Sequence, residues 1–340
     1  MLQGGCNLND LLGDLRDNKS MALFLGTGID YTNCYPEGYL KGGKIGRGIK
    51  MSWDALLQEL VANACVDEGE QNALAGFTKD LQAAVLKSRL GDGYIPIIQN
   101  WLYSRCNRMV LEDSFKLFDR YREGLLELRE VPFYSLFFVA ELILLQPSIR
   151  AVVTQNYDNY LSETINILLE HNADGKYPYR VVDPIEVYEG WKDDKFVEGV
   201  FLIYHVHGFI PPASELRPKP ESNHIVLCQE EFYELSQNVY SWQNAVQLNY
   251  LTHHTCVFVG LSMEDVTSAR VLRHANLERS SERVYVLKAL HDKNNEKEIT
   301  AMRIRIDYYD TQHVHILCGE DDYYNLYHAI RRSVIENTVK

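Results

Sequence analysis

The sequence has 340 residues, 46% of them hydrophobic and 24% charged, which is typical of a soluble globular protein with one large α/β domain or two smaller ones. A formal net charge of −13 argues against nonspecific attraction to nucleic acid or acidic membranes, although backbone amides can still bind an anionic ligand locally. The seven cysteines are dispersed and form no CxxC pair, so the sequence indicates neither a disulfide framework nor a four-thiolate zinc site.

Cysteine usage and the N-terminal sequence both favour a cytoplasmic protein. The chain does not open with a basic region followed by an apolar one, so we expect no signal peptide. The most apolar predicted helix, Val131 to Leu145, is interrupted by Glu141 and is too short to span a bilayer. We therefore expect no membrane association.

The first predicted strand, residues 21–25, ends in the turn GTGID at residues 26–30. A Gly-x-Gly turn directly after a strand allows the backbone to approach a ligand closely, because no Cβ stands in the way. The third glycine of the dinucleotide fingerprint is missing, so a tight turn without a ligand is an equally open interpretation.

Residues 31–51 are rich in glycine and carry four basic side chains, Lys41, Lys44, Arg47 and Lys50. Two interpretations are open for the basic loop at 41–50. It folds over a pyrophosphate, or it is an ordinary solvated loop.

Between residues 52 and 146 the apolar residues recur at helical spacing. Ser52 is the expected N-cap of the first helix, and further helices are predicted near 70–90, 94–104, 112–129 and 132–146. A stretch of about 95 residues without a convincing strand is long for a crossover connection, so it predicts an inserted helical module.

Strands alternate with helices in the remainder of the chain. After a central strand in the stretch 151–158, strands are predicted at 199–206, 224–228, 255–259, 283–288 and 313–318. Helices are predicted at 230–250, 264–279, 294–303 and 321–336. This alternation predicts an α/β fold with a Rossmann-like, mostly parallel sheet, helices on both faces and an inserted all-helical module. We expect a single domain over residues 1–340, with a core at about 18–50 and 147–340 and the helical module at about 52–146.

Polar residues follow the central strand, whose sequence AVVTQNYD covers residues 151–158. Gln155, Asn156 and Asp158 lie where a parallel sheet collects ligands, outside the carboxyl ends of its strands. The alternative interpretation is an N-cap of the following helix, since Asn and Asp are favoured there.

Two other strand ends carry candidate residues. His205 and His207 point to one face of a strand and suggest a metal-binding pair, two structural histidines, or a general base at His207. We expect no metal, because no further ligands follow a recognisable signature. Ser262 and Asp265, after the glycine at 260, have the spacing of a capping box and also lie where amides could bind a phosphate or ribose.

The four junctions GTGID, TQNYD, HG and GLS occur in an order that resembles the sirtuin-like superfamily, over most of residues 20–335. TQNYD matches the sirtuin sequence TQNID in four of five positions. Two features depart from sirtuin deacylases: residues 209–230 contain no paired CxxC zinc motifs, and Asp30 stands where sirtuins carry a serine. The chain therefore looks more like the sirtuin-like NAD hydrolases of bacterial antiphage defence.

The resemblance implies NAD as substrate and assigns roles to the residues at the strand ends. The implied contacts with the phosphates and adenosine half come from Gly26, Thr27, Gly28, Gly260 and Ser262. Ile29 and Asp265 belong to the same binding turns, and Asp30 would hold a ribose or the nicotinamide half. Gln155, Asn156 and Asp158 would position the nicotinamide ribose and carboxamide, with Asn156 orienting the attacking water and His207 accepting a proton.

By resemblance, the expected activity is NAD+ glycohydrolysis to nicotinamide and ADP-ribose, linear or cyclic. The expected setting is a toxic antiphage effector held inactive until triggered, with a separately encoded activator and a homo- or hetero-oligomeric state. A protein deacylase and a non-catalytic sensor of NAD or ADP-ribose are the alternatives. A direct nucleic-acid partner is not expected.

Overall fold

The structure, a computed structural model, describes residues 8–30, 51–64, 66–172, 175–176, 178–179, 183–189, 199–213, 225–238, 240–261, 271–275, 283–289, 295–297, 299–301, 304, 314–319 and 323–338. The strands are β1 (Met21–Leu25), β2 (Ile149–Thr154), β3 (Asp183–Val187), β4 (Val200–His205), β5 (Thr255–Val259), β6 (Val284–Ala289) and β7 (Val314–Gly319). They form one seven-stranded sheet in the order β3-β4-β2-β1-β5-β6-β7, and every neighbouring pair is parallel.

Helices precede and connect these strands. The helices within the described residues are α1 (Leu8–Arg16), α2 (Trp53–Asn63), α3 (Glu68–Leu74), α4 (Lys79–Leu90), α5 (Tyr94–Arg105), α6 (Arg108–Arg122), α7 (Tyr134–Leu145), α8 (Tyr160–Glu170), α9 (Gln229–Gln237), α10 (Trp242–His253) and α11 (Tyr323–Thr338). Residues 271–275 are also helical. Short 3₁₀ turns lie at Thr27–Asp30, Gly91–Gly93 and Leu128–Glu130.

The sheet is covered on both faces. Along β1, Leu23 and Leu25 belong to a core cluster that they share with α1 to α8 and α11. Phe24 belongs to a second cluster, which includes residues of α10 and of the segment 271–275. Burial on both faces explains why β1 and β5 are continuous apolar runs instead of alternating ones. The predicted fold class, a Rossmann-like parallel sheet with helices on both faces, is confirmed.

The chain reverses its direction of travel across the sheet at β1. From β1 it crosses to β2 and then adds β3 and β4 on that side, whereas β5, β6 and β7 follow on the other side. The carboxyl edge beside β1 is therefore the topological switch point at which ligands bind in open α/β sheets. The six helices α2 to α7 occupy the β1–β2 connection, where the sequence predicts a helical module. Its division from the core remains a prediction.

Several predicted elements need correction. Residues 225–227 are not a strand, since the backbone N–H of Val226 bonds to His207, which lies beyond the end of β4. The helix predicted at 230–250 is two helices, α9 and α10, and the one predicted at 70–90 is likewise α3 and α4. The sequence reasoning missed α1 and the edge strand β3, whose Pro184 lacks a backbone N–H. Among the described residues, no helix is both long enough and apolar enough to cross a membrane.

Glu141 lies within the most apolar helix, α7, and is buried with 1% of its side chain exposed. Its Oε1 is 3.3 Å from Nε of Arg122 and accepts a hydrogen bond of 3.0 Å from the Tyr179 hydroxyl. Both Nε and Nη2 of Arg331 also bond to its carboxylate, the latter at 3.2 Å. Glu141 thus joins α6, α7 and α11 through a buried ionic cluster.

We predict that Glu141→Ala lowers the free energy of unfolding by about 3–5 kcal/mol, because it leaves two buried guanidinium groups without their carboxylate. Glu336→Ala is the matched control, since it breaks an exposed ion pair with Arg332 on α11 and costs at most about 1 kcal/mol. Urea denaturation of both variants measures the difference. Equal losses would contradict the importance of the buried cluster.

Candidate active site

Four neighbouring strands end at the same level of the sheet. Leu25 of β1 pairs in register with Thr154 of β2 on one side and with Val259 of β5 on the other. Thr154 in turn pairs with His205 of β4. The turns that follow these strands therefore begin along one edge, and the structure brings most of the described candidate residues to it.

The turns after β1 and β5 are joined by hydrogen bonds. The backbone N–H of Gly26 donates to the carbonyl of Val259 at 3.1 Å, and that of Gly28 donates to the carbonyl of Gly260 at 3.0 Å. Ile29 then donates to the carbonyl of Gly26 at 3.1 Å, which closes the 3₁₀ turn. The two turns are a single rigid unit.

Close packing explains the glycines of this unit. A Cβ on Gly28 would lie 2.7 Å from both Cα and O of Gly260, and one on Gly26 would lie 2.6 Å from Cδ2 of Leu261. Gly260 has φ +70°, and a Cβ there would lie 2.6 Å from the backbone nitrogen of Ile29. The space that a Cβ would fill at each of these glycines is occupied by neighbouring atoms of the protein. Thr27 and Gly28 are exposed and Ile29 is buried, so a ligand would meet the first two.

The turn after β2 holds its polar residues inside the protein. The backbone N–H of Gln155 donates to the Leu25 carbonyl at 3.2 Å, and that of Asn156 donates to Oγ1 of Thr154 at 3.1 Å. Asn156 is 4% exposed and its Oδ1 is buried. Such a side chain is held in one place by its surroundings instead of moving in solvent.

Asp158 is 7% exposed and lies two residues before the first residue of α8. Its Oδ1 accepts a hydrogen bond of 3.0 Å from the backbone N–H of Tyr160, so this residue bonds the first amide of α8, but the N-cap is Asn159 and not Asp158. The pKa of Asp158 is raised to about 6: burial is the largest cause and the nearby Glu186 adds to it, while the Tyr160 N–H and His205 lower the pKa.

The two histidines have different environments. His205 is held at both ring nitrogens: Nδ1 lies 2.8 Å from the Asn156 carbonyl, and Nε2 lies 2.5 Å from Oε2 of Glu186. His207 is 5% exposed with its Nε2 buried, and its ring meets the Phe232 ring edge-on at 5.5 Å. Within the described residues, no group of three or more His, Cys, Asp or Glu side chains is arranged to hold a metal ion.

Residues 225–232, which we call the strap, pass over His207. The backbone N–H of Val226 donates to the His207 carbonyl at 2.8 Å, and the Tyr157 hydroxyl donates to the Val226 carbonyl at 2.6 Å. Glu231 near the end of the strap forms an ion pair with Lys87 of α4. The sequence reasoning missed the strap as part of the site, because its apolar residues read as a strand.

Helix α5 holds the chain that follows His207. The Tyr103 hydroxyl donates to the Ile210 carbonyl at 2.7 Å, and Nε2 of Gln99 donates to the Pro211 carbonyl at 2.7 Å. The helices between β1 and β2 therefore form one wall of the site. Ser262, Asp265, the side chain of Asp30 and the basic loop at 41–50 lie outside the described residues. The ligand-binding and catalytic roles of all candidate residues remain predictions.

We predict that Asp158→Asn raises the free energy of unfolding at pH 7.5 by up to about 3 kcal/mol, because the amide is not ionised when buried. The pKa of Asp158 is raised from its ordinary 3.8 to about 6, so the wild-type protein loses stability as pH rises through this window. The advantage of the variant should shrink as pH falls from 6 towards 4. Urea denaturation at pH 4.5 and pH 7.5 tests this, and an advantage independent of pH would refute it.

We predict that Gly260→Ala lowers the free energy of unfolding by about 1–3 kcal/mol more than Gly124→Ala. Both glycines have positive φ, +70° and +76°, but only a Cβ at 260 meets the neighbouring turn, since nothing lies within 4 Å at 124. The control thus removes the contribution of backbone strain. Thermal and urea denaturation measure both, and equal losses would show that turn-on-turn packing is unimportant.

Comparison with known proteins places this geometry in a family context. The family model of the SIR2-like domain matches residues 150–309, just under half of the chain, including β2, β4, β5 and their carboxyl-end turns. A solved structure described as "Structural Basis for the Mechanism and Regulation of Sir2 Enzymes" covers 98% of this chain and 96% of its own at 11% identity. Its TM-score of 0.37 is too low to support an inference.

No curated protein matches the sequence. The family match, together with the residues at the strand ends, supports an enzymatic function that involves NAD. Residues 150–309 are thus similar to the SIR2-like domain.

Proposed function

We propose that the protein is an NAD+ glycohydrolase that cleaves the bond between nicotinamide and ribose, giving nicotinamide and ADP-ribose. The proposal rests on two buried polar residues, Asn156 and His207. They follow the carboxyl ends of the adjacent strands β2 and β4. Both lie within the region that matches the SIR2-like domain. A ligand that only needs to be bound does not require an amide and an imidazole held in this way.

In this proposal, an extended dinucleotide would lie along the carboxyl edge of the sheet. Thr27 and Gly28 are exposed at the rigid turn after β1, where they can bind the phosphates and the adenosine half. Two strand ends away, at β4, the buried imidazole of His207 lies under the strap. The nicotinamide ribose would lie at this second position, with Gln155 and Asp158 beside it.

Nicotinamide is a good leaving group, because it is attached to the ribose as a pyridinium cation and departs as a neutral molecule. In the proposed step, a water held by the Asn156 side chain attacks the anomeric carbon as the glycosidic bond breaks. The bonding electrons pass to the nicotinamide nitrogen, and His207 accepts the proton of the water. Ionised Asp158 would stabilise positive charge that develops on the ribose in the transition state.

By the same resemblance we propose that the enzyme is a toxic effector of antiphage defence. Unrestrained NAD+ cleavage would kill the host cell, so the activity must be held off until a trigger arrives. A separately encoded activator or a change in oligomeric state would provide it. Protein deacylation is the competing function, since the SIR2-like match fits either reaction.

We predict that His207→Ala and Asn156→Ala each reduce nicotinamide release from NAD+ by about 100- to 10,000-fold, the usual contribution of a positioned acid–base group. His253→Ala is the matched control, because this histidine is exposed at the end of α10 and precedes the amino end of β5, at the sheet edge opposite the carboxyl-end turns. Nicotinamide is quantified with the protein alone and with the products of neighbouring genes. Circular dichroism confirms that the variants fold.

The same incubations include an acetyl-lysine peptide as a second arm. Nicotinamide released only when the peptide is present, together with loss of the acetyl group, would indicate a deacylase. Release of no nicotinamide in any arm would contradict an enzymatic role and favour a sensor of NAD or ADP-ribose.

A further inference from the structure

A buried chain of hydrogen bonds lies behind the candidate catalytic residues. Glu186 on the edge strand β3 reaches across to His205 on β4, and their side chains are 12% and 2% exposed. The other carboxylate oxygen of Glu186 lies 2.5 Å from the hydroxyl of Ser162 on α8. From His205 the chain continues to the backbone carbonyl of Asn156.

The partners of His205 determine where its protons lie. The Asn156 carbonyl can only accept, so Nδ1 of His205 carries a hydrogen and donates it. Nε2 faces a carboxylate oxygen at 2.5 Å, so one further proton lies between His205 and Glu186. Burial lowers the pKa of His205, but the charge and hydrogen bond of Glu186 outweigh this effect and raise it overall. Asp158 is the other charged group that acts on this imidazole.

These bonds fix the backbone of Asn156 from two sides. Its N–H donates to Thr154 Oγ1 on its own strand, and its carbonyl accepts from His205 on the neighbouring strand. The direction of a side chain follows from the backbone that carries it, so the Asn156 amide is aimed by its neighbours. His205 is also two residues before His207 in the sequence. The position of the His205 imidazole therefore affects both candidate catalytic residues, Asn156 and His207.

We propose that Glu186 and His205 are positioning residues that hold the Asn156 carbonyl and so aim its side chain for the cleavage of NAD+. The inference rests on the proposed function and deepens it. Neither residue touches the substrate in this scheme. Their effect reaches the reaction through the orientation of Asn156, and misplacement of a catalytic group by about 1 Å can cost about 100-fold in rate.

The matched variants at 186 separate positioning from charge. Glu186→Gln can still bond to neutral His205 while Ser162 bonds to the amide oxygen, so Nδ1 continues to donate to Asn156. Glu186→Ala removes the support. We expect kcat for nicotinamide release to fall by about 10- to 100-fold in Glu186→Ala with KM for NAD+ changed by less than about threefold. Glu186→Gln should retain kcat within about threefold at pH 7.5.

His205→Phe tests the second residue of the hydrogen-bond chain. It replaces Glu186→Ala as the test if that variant does not fold. The His205 ring packs on Phe209 at 4.7 Å, and phenylalanine keeps this contact while it removes both nitrogen atoms. We expect the same loss of kcat as in Glu186→Ala. If Glu186 and His205 only stabilised the fold, both variants would lose stability in parallel, and kcat would not fall selectively relative to KM.

Hydrogen–deuterium exchange over residues 155–160 provides a readout that does not depend on turnover. Exchange should accelerate in Glu186→Ala and His205→Phe but not in Glu186→Gln. Wild-type kcat and wild-type exchange in both disruptive variants would overturn the inference while leaving NAD+ cleavage intact. A wild-type protein that does not cleave NAD+ would overturn the proposed function and with it the catalytic role of the pair, and exchange would then report only whether the Asn156 backbone is held.

Discussion

The parallel register of β4, β2, β1 and β5 is the constraint on which the candidate site depends. These strands end at paired residues, so the turns that follow them start from one line across the sheet. Hydrogen bonds between the turns after β1 and β5, and between Gln155 and Leu25, then join neighbouring ends. A shift of one strand by a single residue would turn its side chains to the opposite face and separate the polar groups.

Two buried carboxylates, those of Glu141 and Asp158, have different electrostatic environments. Glu141 is neutralised by Arg122 and Arg331, and it serves the packing of helices. Asp158 accepts a hydrogen bond from the Tyr160 backbone N–H, and burial raises its pKa although that N–H and His205 lower it. A carboxylate that is costly to ionise destabilises the fold at neutral pH and is typical of a site at which the charge serves function.

Sequence reasoning predicted the elements that are governed by local pattern. The runs at β1 and β5 are apolar because both faces of the sheet are covered, and their ends were visible as glycine turns. It could not predict that Gly28 and Gly260 pack against each other, because a glycine does not reveal which atoms fill its missing volume. It also missed Glu186, since the pairing of β3 with β4 is decided by tertiary structure. The likeness of TQNYD to a family motif, in contrast, led directly to Asn156 and Asp158.

The cluster around Glu141 has a consequence for the order of assembly during synthesis. Arg331 lies 190 residues after Glu141, so one of the two guanidinium groups is made long after the helix that needs it. Until that arginine is made, Arg122 and the Tyr179 hydroxyl are the partners that offset the burial of this carboxylate. The ionic cluster is therefore complete only when α11 packs against α6 and α7.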